Sequence, residues 1–189
     1  MNTLQKKLAS LSVVTALTFG SASSFADDEA AELLQLKRTQ FTAEKALEKV
    51  SEKYKGQILE IELDDKNDQL VYEVEVVDLD KEKVFELYVN PSNGEVALSE
   101  TESLTLLGFN RFDEDKLAAL QSMKDNSFSL IGQLAKVKTE YPGVIKEAEF
   151  KQSKGVSYYK VKVLTHDGKR QKVILDAATG DMIPVMDHD

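Results

Sequence analysis

The sequence contains no cysteine and no tryptophan, and it has only two histidines and three prolines among 189 residues. The lack of cysteine excludes disulfide bonds, thiol nucleophiles and thiolate metal sites. Neither His166 nor His188 lies near a motif for a nucleophile, and no glycines are close enough to form a phosphate-binding loop. We therefore predict a protein that is not an enzyme, with no catalytic residues, no cofactor and no metal site.

Long hydrophobic segments are also lacking. The apolar run from Leu8 to Phe19 is shorter than the roughly 20 residues of a membrane helix. It follows Lys6 and Lys7 and precedes Ser24-Phe25-Ala26, a pattern typical of a secretory signal peptide. We predict that residues 1–26 are removed and that the protein is periplasmic or secreted, without membrane insertion after cleavage. A retained N-terminal anchor is the alternative.

Basic residues are fewer than acidic residues. Without Lys6 and Lys7, the chain has 22 basic and 33 acidic residues. Nucleic acids and anionic membrane surfaces bind to basic surfaces, so neither is an expected partner.

The sequence does contain one pattern twice. Tyr72 to Val77 alternates apolar and acidic residues, and Tyr159 to Leu164 repeats the alternation 87 positions later with lysines. Thr42 and Ser129, which can cap a helix, are separated by the same distance. A fixed offset over this length indicates an internal duplication.

Each copy is predicted to start with a helix and continue into alternating strands. After Thr42, Leu47, Val50 and Tyr54 share one helix face, and Gly56 is expected to end the helix in the left-handed conformation. We predict an α+β fold of two tandem repeats, each with a helix on a three- to four-stranded antiparallel sheet. The predicted organisation is a leader helix (27–40), a first repeat (41–100), a connecting segment with a helix (101–127), a second repeat (128–185) and a tail (186–189).

These patterns resemble the PepSY family. The second copy carries its features at Tyr159-Lys160-Val161-Lys162-Val163 and Asp176-Ala177-Ala178-Thr179-Gly180, whereas the first has Asn90 and Asn93 in place of the Asp and Thr. The resemblance implies a non-catalytic binding module. PepSY domains occur in propeptides of thermolysin-like secreted metalloproteases and in exported bacterial proteins with a presumed regulatory role. A protease or an envelope regulator is therefore the expected partner.

The two copies differ in charge. Residues 41–100 contain 16 acids and 7 bases, whereas residues 128–185 contain 6 acids and 10 bases. The outward strand positions of the second copy are Glu147, Glu149, Lys160, Lys162, Lys172 and Ile174. The charged residues at the outward strand positions of the first copy are all acidic. We predict that these outward positions bind a partner: Glu60, Glu62, Glu73, Glu75, Glu86 and Tyr88.

The expected ligand of this surface is a basic surface, on another protein or on the lysine-bearing sheet of the second copy, with Tyr88 as an aromatic anchor. A merely solvated face is the alternative. Binding of cations or other small ligands by the acidic sheet or the loops is a second functional hypothesis. The loop Asp64-Asp65-Lys66-Asn67-Asp68 lacks the glycine and glutamate of a calcium-binding loop and is better interpreted as a polar turn.

Overall fold

The computed structural model describes residues 31, 33–67, 69–106, 109–166 and 168–185. The predicted signal peptide, the tail and His188 lie outside the described residues. The elements are α1 (residues 33–39), α2 (Ala43–Lys53), β1 (Gln57–Lys66), β2 (Gln69–Asp78), β3 (Lys83–Val89), β4 (Val96–Ser103), β5 (Thr105–Leu106), β6 (Phe109–Asn110), α3 (Glu114–Asp125), α4 (Leu130–Glu140), β7 (Gly143–Ser153), β8 (Val156–Thr165), β9 (Arg170–Asp176) and β10 (Met182–Val185).

The two copies share one antiparallel sheet of eight strands, in the order β10-β9-β8-β7-β1-β2-β3-β4. The first strand of each copy, β1 and β7, pair with each other at the centre, where Ile61 lies opposite Ala148. The predicted α+β class is therefore confirmed, with a helix and four strands in each copy. The copies are also joined by backbone hydrogen bonds, so neither four-stranded sheet stands alone.

One face of this sheet carries the core. Tyr72, Val74 and Val76 of β2 are fully buried, as are the corresponding Tyr159 and Val161 of β8. Helix α2 packs on β1, β2, β3 and β7, and it also contacts α4, which packs on β7. Because side chains alternate along a strand, burying these residues under the helices leaves the glutamates and lysines between them on the opposite face.

The helices begin as the sequence predicts. The side chain of Thr42 accepts a hydrogen bond from the Lys45 backbone N–H, and Ser129 caps α4 in the same way. The predicted role of Gly56 is wrong, because α2 ends at Lys53 and Tyr54 is its extended cap. A Cβ on Gly56 would lie 2.2 Å from the carbonyl oxygen of Val77, so glycine is required for the close approach of two backbones. The equivalent Gly143 approaches Leu164 in the same way, at 2.4 Å.

The closing turns are built alike in spite of their different residues. The side chains of Asn90 and Asp176 each accept a hydrogen bond from the backbone N–H two residues later, at 2.8 and 2.7 Å. Three residues further along each turn, the side chains of Asn93 and Thr179 also accept a hydrogen bond from the backbone N–H two residues after them, at 2.9 and 3.1 Å. The two substitutions in the first copy therefore keep the hydrogen bonds that shape the turn.

The connecting segment (residues 101–127) packs against the repeats. Strand β4 extends to Ser103, within this segment, and is followed by the buried Leu104. Leu120 and Met123 of α3 are also part of the core. Within the described residues, no helix is long and apolar enough to cross a membrane.

Candidate functional site: an acidic face on the open side of the sheet

All six residues predicted to bind a partner lie on the face of the sheet opposite the helices. Strand register places them in two rows that run across the sheet and continue into the second copy. One row contains Glu86, Glu75, Glu60, Glu149 and Lys160, and the other contains Tyr88, Glu73, Glu62, Glu147 and Lys162. We call the first-copy part of these rows, Glu60, Glu62, Glu73, Glu75, Glu86 and Tyr88, the acidic face.

The five glutamates of the acidic face surround one shallow depression of about 210 Å³. Tyr88 is not part of its lining. The Tyr88 hydroxyl donates a hydrogen bond to the Glu86 carboxylate at 2.9 Å, and the ammonium of Lys66 lies 5.5 Å from the centre of its ring. The Tyr88 side chain therefore already contacts residues of its own chain, Glu86 and Lys66, beside the depression.

Cations from outside the six predicted positions reach two glutamates of the acidic face. The guanidinium of Arg111, in the connecting segment, lies 2.6 Å from the Glu75 carboxylate and also pairs with Glu102. Lys66, in the β1–β2 hairpin, lies 3.2 Å from the carboxylate of Glu73. Arg111 was not predicted from the sequence, although it is the only charged residue in the mostly apolar stretch 104–112.

At the centre of the face, Glu60 and Glu62 are less well neutralised, and the charge of Lys162 only partly offsets the raised pKa of Glu62. Among the described residues, neither carboxylate has an ion-pair partner. Burial, followed by repulsion from Glu149 and Glu62, raises the pKa of Glu60 from 4.5 to about 7. Burial and the charge of Glu147 also raise the pKa of Glu62. Like charges on adjacent strands cost roughly 0.2–1 kcal/mol per pair, so this centre is a locally unfavourable arrangement.

Carboxylates of the second copy are neutralised instead. Lys160 lies 3.0 Å from a carboxylate oxygen of both Glu147 and Glu149, and Lys162 also pairs with Glu147. Burial acts to raise the pKa of Glu149, but hydrogen bonds from Lys151 and Lys160 outweigh it and lower that pKa. The lysine-bearing strands lie beside the acidic strands in one sheet. The hypothesis that the acidic face stacks on the lysine-bearing sheet of the same chain is therefore wrong.

The acidic face can accept hydrogen bonds and attract cations, but it has no acid–base machinery beyond its carboxylates. His166 lies exposed in the turn between β8 and β9, remote in the register from β1 and β2. Within the described part of the chain, no three His, Asp or Glu side chains converge in a way that could hold a metal ion. In the predicted polar turn, Asp64 pairs with Lys66 at 3.3 Å. The acidic face therefore offers carboxylates spread over three adjacent strands, β1, β2 and β3.

Similarity to known proteins identifies the family of this chain. No curated protein matches the chain. A crystal structure of a Clostridium difficile 630 protein, provisionally assigned as a lipoprotein, is similar over 73% of this chain and 87% of that chain, with 19% identity and a TM-score of 0.39. The family model described as "Peptidase propeptide and YPEB domain" matches residues 41–100 and 133–183. Because these two matches cover more than half of the sequence, the protein belongs to the PepSY family and contains two copies of its domain.

Proposed function

We propose that this protein is an exported regulatory module, periplasmic or secreted, that binds another protein through its acidic face. The partner presents a basic surface and is a protease or an envelope regulator. Binding blocks or positions the partner by contact, and no covalent chemistry takes place on this chain. Membership of a family of peptidase propeptide domains supports this class of function.

The observation that carries the proposal is the pair Glu60 and Glu62 at the centre of the acidic face, which form no ion pair among the described residues. Burial and neighbouring carboxylates raise the pKa of Glu60 to about 7, so its ionised form is unfavourable in the free protein. A lysine or arginine of a partner placed in the depression relieves this repulsion, and the relief adds to the affinity. Electrostatic attraction of this kind also accelerates association and weakens with added salt.

The test is the double variant E60Q/E62Q, which removes two charges and keeps the side-chain shapes. It should fold more stably than the wild type, because the repulsion disappears, and it should bind the partner more weakly. A merely solvated face predicts the gain in stability without any change in binding. Affinity capture from the secreted and envelope fractions, followed by mass spectrometry, identifies proteins that the wild type retains and E60Q/E62Q loses.

The matched control is E48Q/E140Q, which removes two exposed glutamates on the helix side of the sheet. It should capture the same proteins as the wild type. For any protein that passes this comparison, affinity is then measured at low salt and at about 0.5 M salt, where exposed charges are screened. Equal capture by both variants, or an affinity that salt does not change, contradicts the proposed role of the acidic face.

A further inference from the structure

The sheet ends in two edge strands, β4 and β10, and they differ in how they present their outer side. An edge strand exposes backbone N–H and C=O groups that a further strand can pair with, and a proline on the edge prevents that pairing. Strand β10 has four residues, including Pro184, whereas β4 has eight residues and no proline. Among the described residues, no strand lies beyond either of them. The first copy therefore has the longer edge, and no proline protects it.

Leu98 of β4 occupies the position that Pro184 occupies in β10. Leu98 lies opposite Leu87 of β3, and Pro184 lies opposite the equivalent Val173 of β9. The two residues are four positions after the glycine that ends each closing turn, and both glycines have a positive φ, of 69° and 76°. The two edges thus start from the same turn and differ at this position.

Hydrogen bonds of the closing turns show where the backbone N of each residue points. The N–H of Asn90 donates to the carbonyl oxygen of Glu95 at 3.0 Å, and the equivalent hydrogen bond of the second copy is 2.9 Å long. Hydrogen-bonded pairs alternate with non-hydrogen-bonded pairs along antiparallel strands, so Leu98 and Pro184 fall in non-hydrogen-bonded pairs. Their backbone N atoms therefore point away from the sheet. Leu98 offers a donor there, and Pro184 offers none.

The side chains of β4 give this edge a different character on each face. Leu98 is on the helix side and is 50% exposed, although its neighbour Leu87 is fully buried. The bulge that follows Leu98 brings Glu100 and Glu102 to the open face, where Glu100 lies opposite Glu86. Both glutamates are exposed, and Glu102 shares the guanidinium of Arg111 with Glu75. The edge thus offers an apolar group on one face and carboxylates on the other.

The same sheet contains a template for the strand that such an edge would accept. Glu147 and Glu149 of β7 are two residues apart, as Glu100 and Glu102 are, and they lie opposite Lys162 and Lys160 of β8. Lys160 pairs with Glu149 at 3.0 Å, and Lys162 pairs with Glu147. The residues of β8 between these lysines are apolar and face the core. A strand that alternates lysine with apolar residues therefore matches a strand with alternate glutamates.

We propose that β4 binds an extended segment of a partner protein as a ninth strand, with basic residues on the open face and apolar residues on the helix side. Backbone hydrogen bonds hold such a segment, and its side chains select it. A second copy of this chain is a poor occupant, because the sequence has 33 acidic and 24 basic residues and the pairing would place glutamates beside glutamates. Strands β2 and β3 separate this edge from Glu60 and Glu62, so the site is distinct from the centre of the acidic face.

The probe is a fluorescein-labelled peptide with the sequence of residues 156–165, which contains the alternating lysines of β8. The control peptide carries K160E and K162E. Fluorescence anisotropy with the whole protein should show saturable binding of the lysine peptide and roughly tenfold weaker binding of the control. No saturable binding, or equal binding of both peptides, overturns the proposal.

The variant L98P locates the binding at the edge, because it gives β4 the proline that β10 has. It should fold as the wild type does, since no hydrogen bond to β3 is lost, and it should bind the lysine peptide at least roughly tenfold more weakly. E60Q/E62Q should bind the peptide as the wild type does. Full binding by folded L98P, or an equal loss in E60Q/E62Q, overturns the proposal. A dimer of the wild type that L98P dissolves also overturns it, because a second copy then occupies the edge.

A charge exchange keeps the proposal testable if L98P does not fold. Glu100 is exposed, so E100K leaves the packing unchanged. This variant should weaken the lysine peptide and strengthen the K160E/K162E peptide, each roughly tenfold. The matched control is E48K, which makes the same charge change at an exposed position of α2 and should alter neither affinity. Equal effects of E100K and E48K contradict binding at β4.

Discussion

The duplicated tyrosines Tyr72 and Tyr159 offer a matched pair of substitutions with different expected outcomes. Both side chains are fully buried, at equivalent positions 87 residues apart. The Tyr159 hydroxyl donates a hydrogen bond to the carbonyl oxygen of Ile58 in β1, which links the second copy to the first. Within the described residues, the Tyr72 hydroxyl has no hydrogen-bond partner. It lines a cavity of about 90 Å³ together with Glu44.

Tyr159→Phe removes one buried hydrogen bond and leaves the Ile58 carbonyl without this donor. A net hydrogen bond contributes about 0.5–1.5 kcal/mol, and an unsatisfied buried partner adds a penalty, so the expected loss is roughly 1–3 kcal/mol. For a chain of this size, that corresponds to a fall in Tm of about 2–12 °C. The rings of Phe128 and Phe150, 5.7 and 5.5 Å from the Tyr159 ring, keep their contacts, so the packing of the ring itself should not change.

Tyr72→Phe removes the same atom from the other copy, but no hydrogen bond is lost with it. A buried hydroxyl without a partner is unfavourable, so the variant should be as stable as the wild type or more stable by up to about 1 kcal/mol. Urea unfolding monitored by circular dichroism gives the free energy of unfolding of each variant, and thermal melts give Tm. Equal losses in the two variants would refute the argument, because they would show that both hydroxyls are equally satisfied.

Two further predictions concern backbone contact and pH. Gly56→Ala and Gly143→Ala should each destabilise the protein by roughly 1–3 kcal/mol, because a Cβ meets a backbone carbonyl, whereas Gly132→Ala in α4, where the nearest atom to a Cβ is Ser129 Oγ at 3.8 Å, should raise stability by roughly 0.5–1 kcal/mol in the same urea assay. The pKa of Glu60 is about 7 in the folded protein and exceeds its ordinary value of 4.5, so between these two pH values the folded state binds more protons than the unfolded state. The free energy of unfolding should therefore fall as the pH rises from about 5 to 8. E60Q should reduce that fall by on the order of 1–2 kcal/mol, and an unchanged pH dependence would contradict the raised pKa.

Local patterns in the sequence predicted most of the secondary structure. Alternating residues around Tyr72 and Tyr159 determine which face of each strand is buried, and Thr42 and Ser129 satisfy backbone N–H groups within their own helices. These effects act between residues close in the chain, so spacing alone predicts them. Gly56 was misinterpreted because its requirement for glycine comes from Val77, on the neighbouring strand.

The sequence by itself determined that the fold is α+β, that it is duplicated and that the six residues of the acidic face lie together on one side. Only the tertiary structure decided that β1 and β7 join the copies into one sheet, because strand pairing uses backbone groups that every residue possesses. It also decided that Arg111 pairs with Glu75 while, among the described residues, Glu60 and Glu62 form no ion pair. Such charge pairing depends on which distant segment of the chain packs on the sheet. The spacing of residues along the sequence does not show which segment that is.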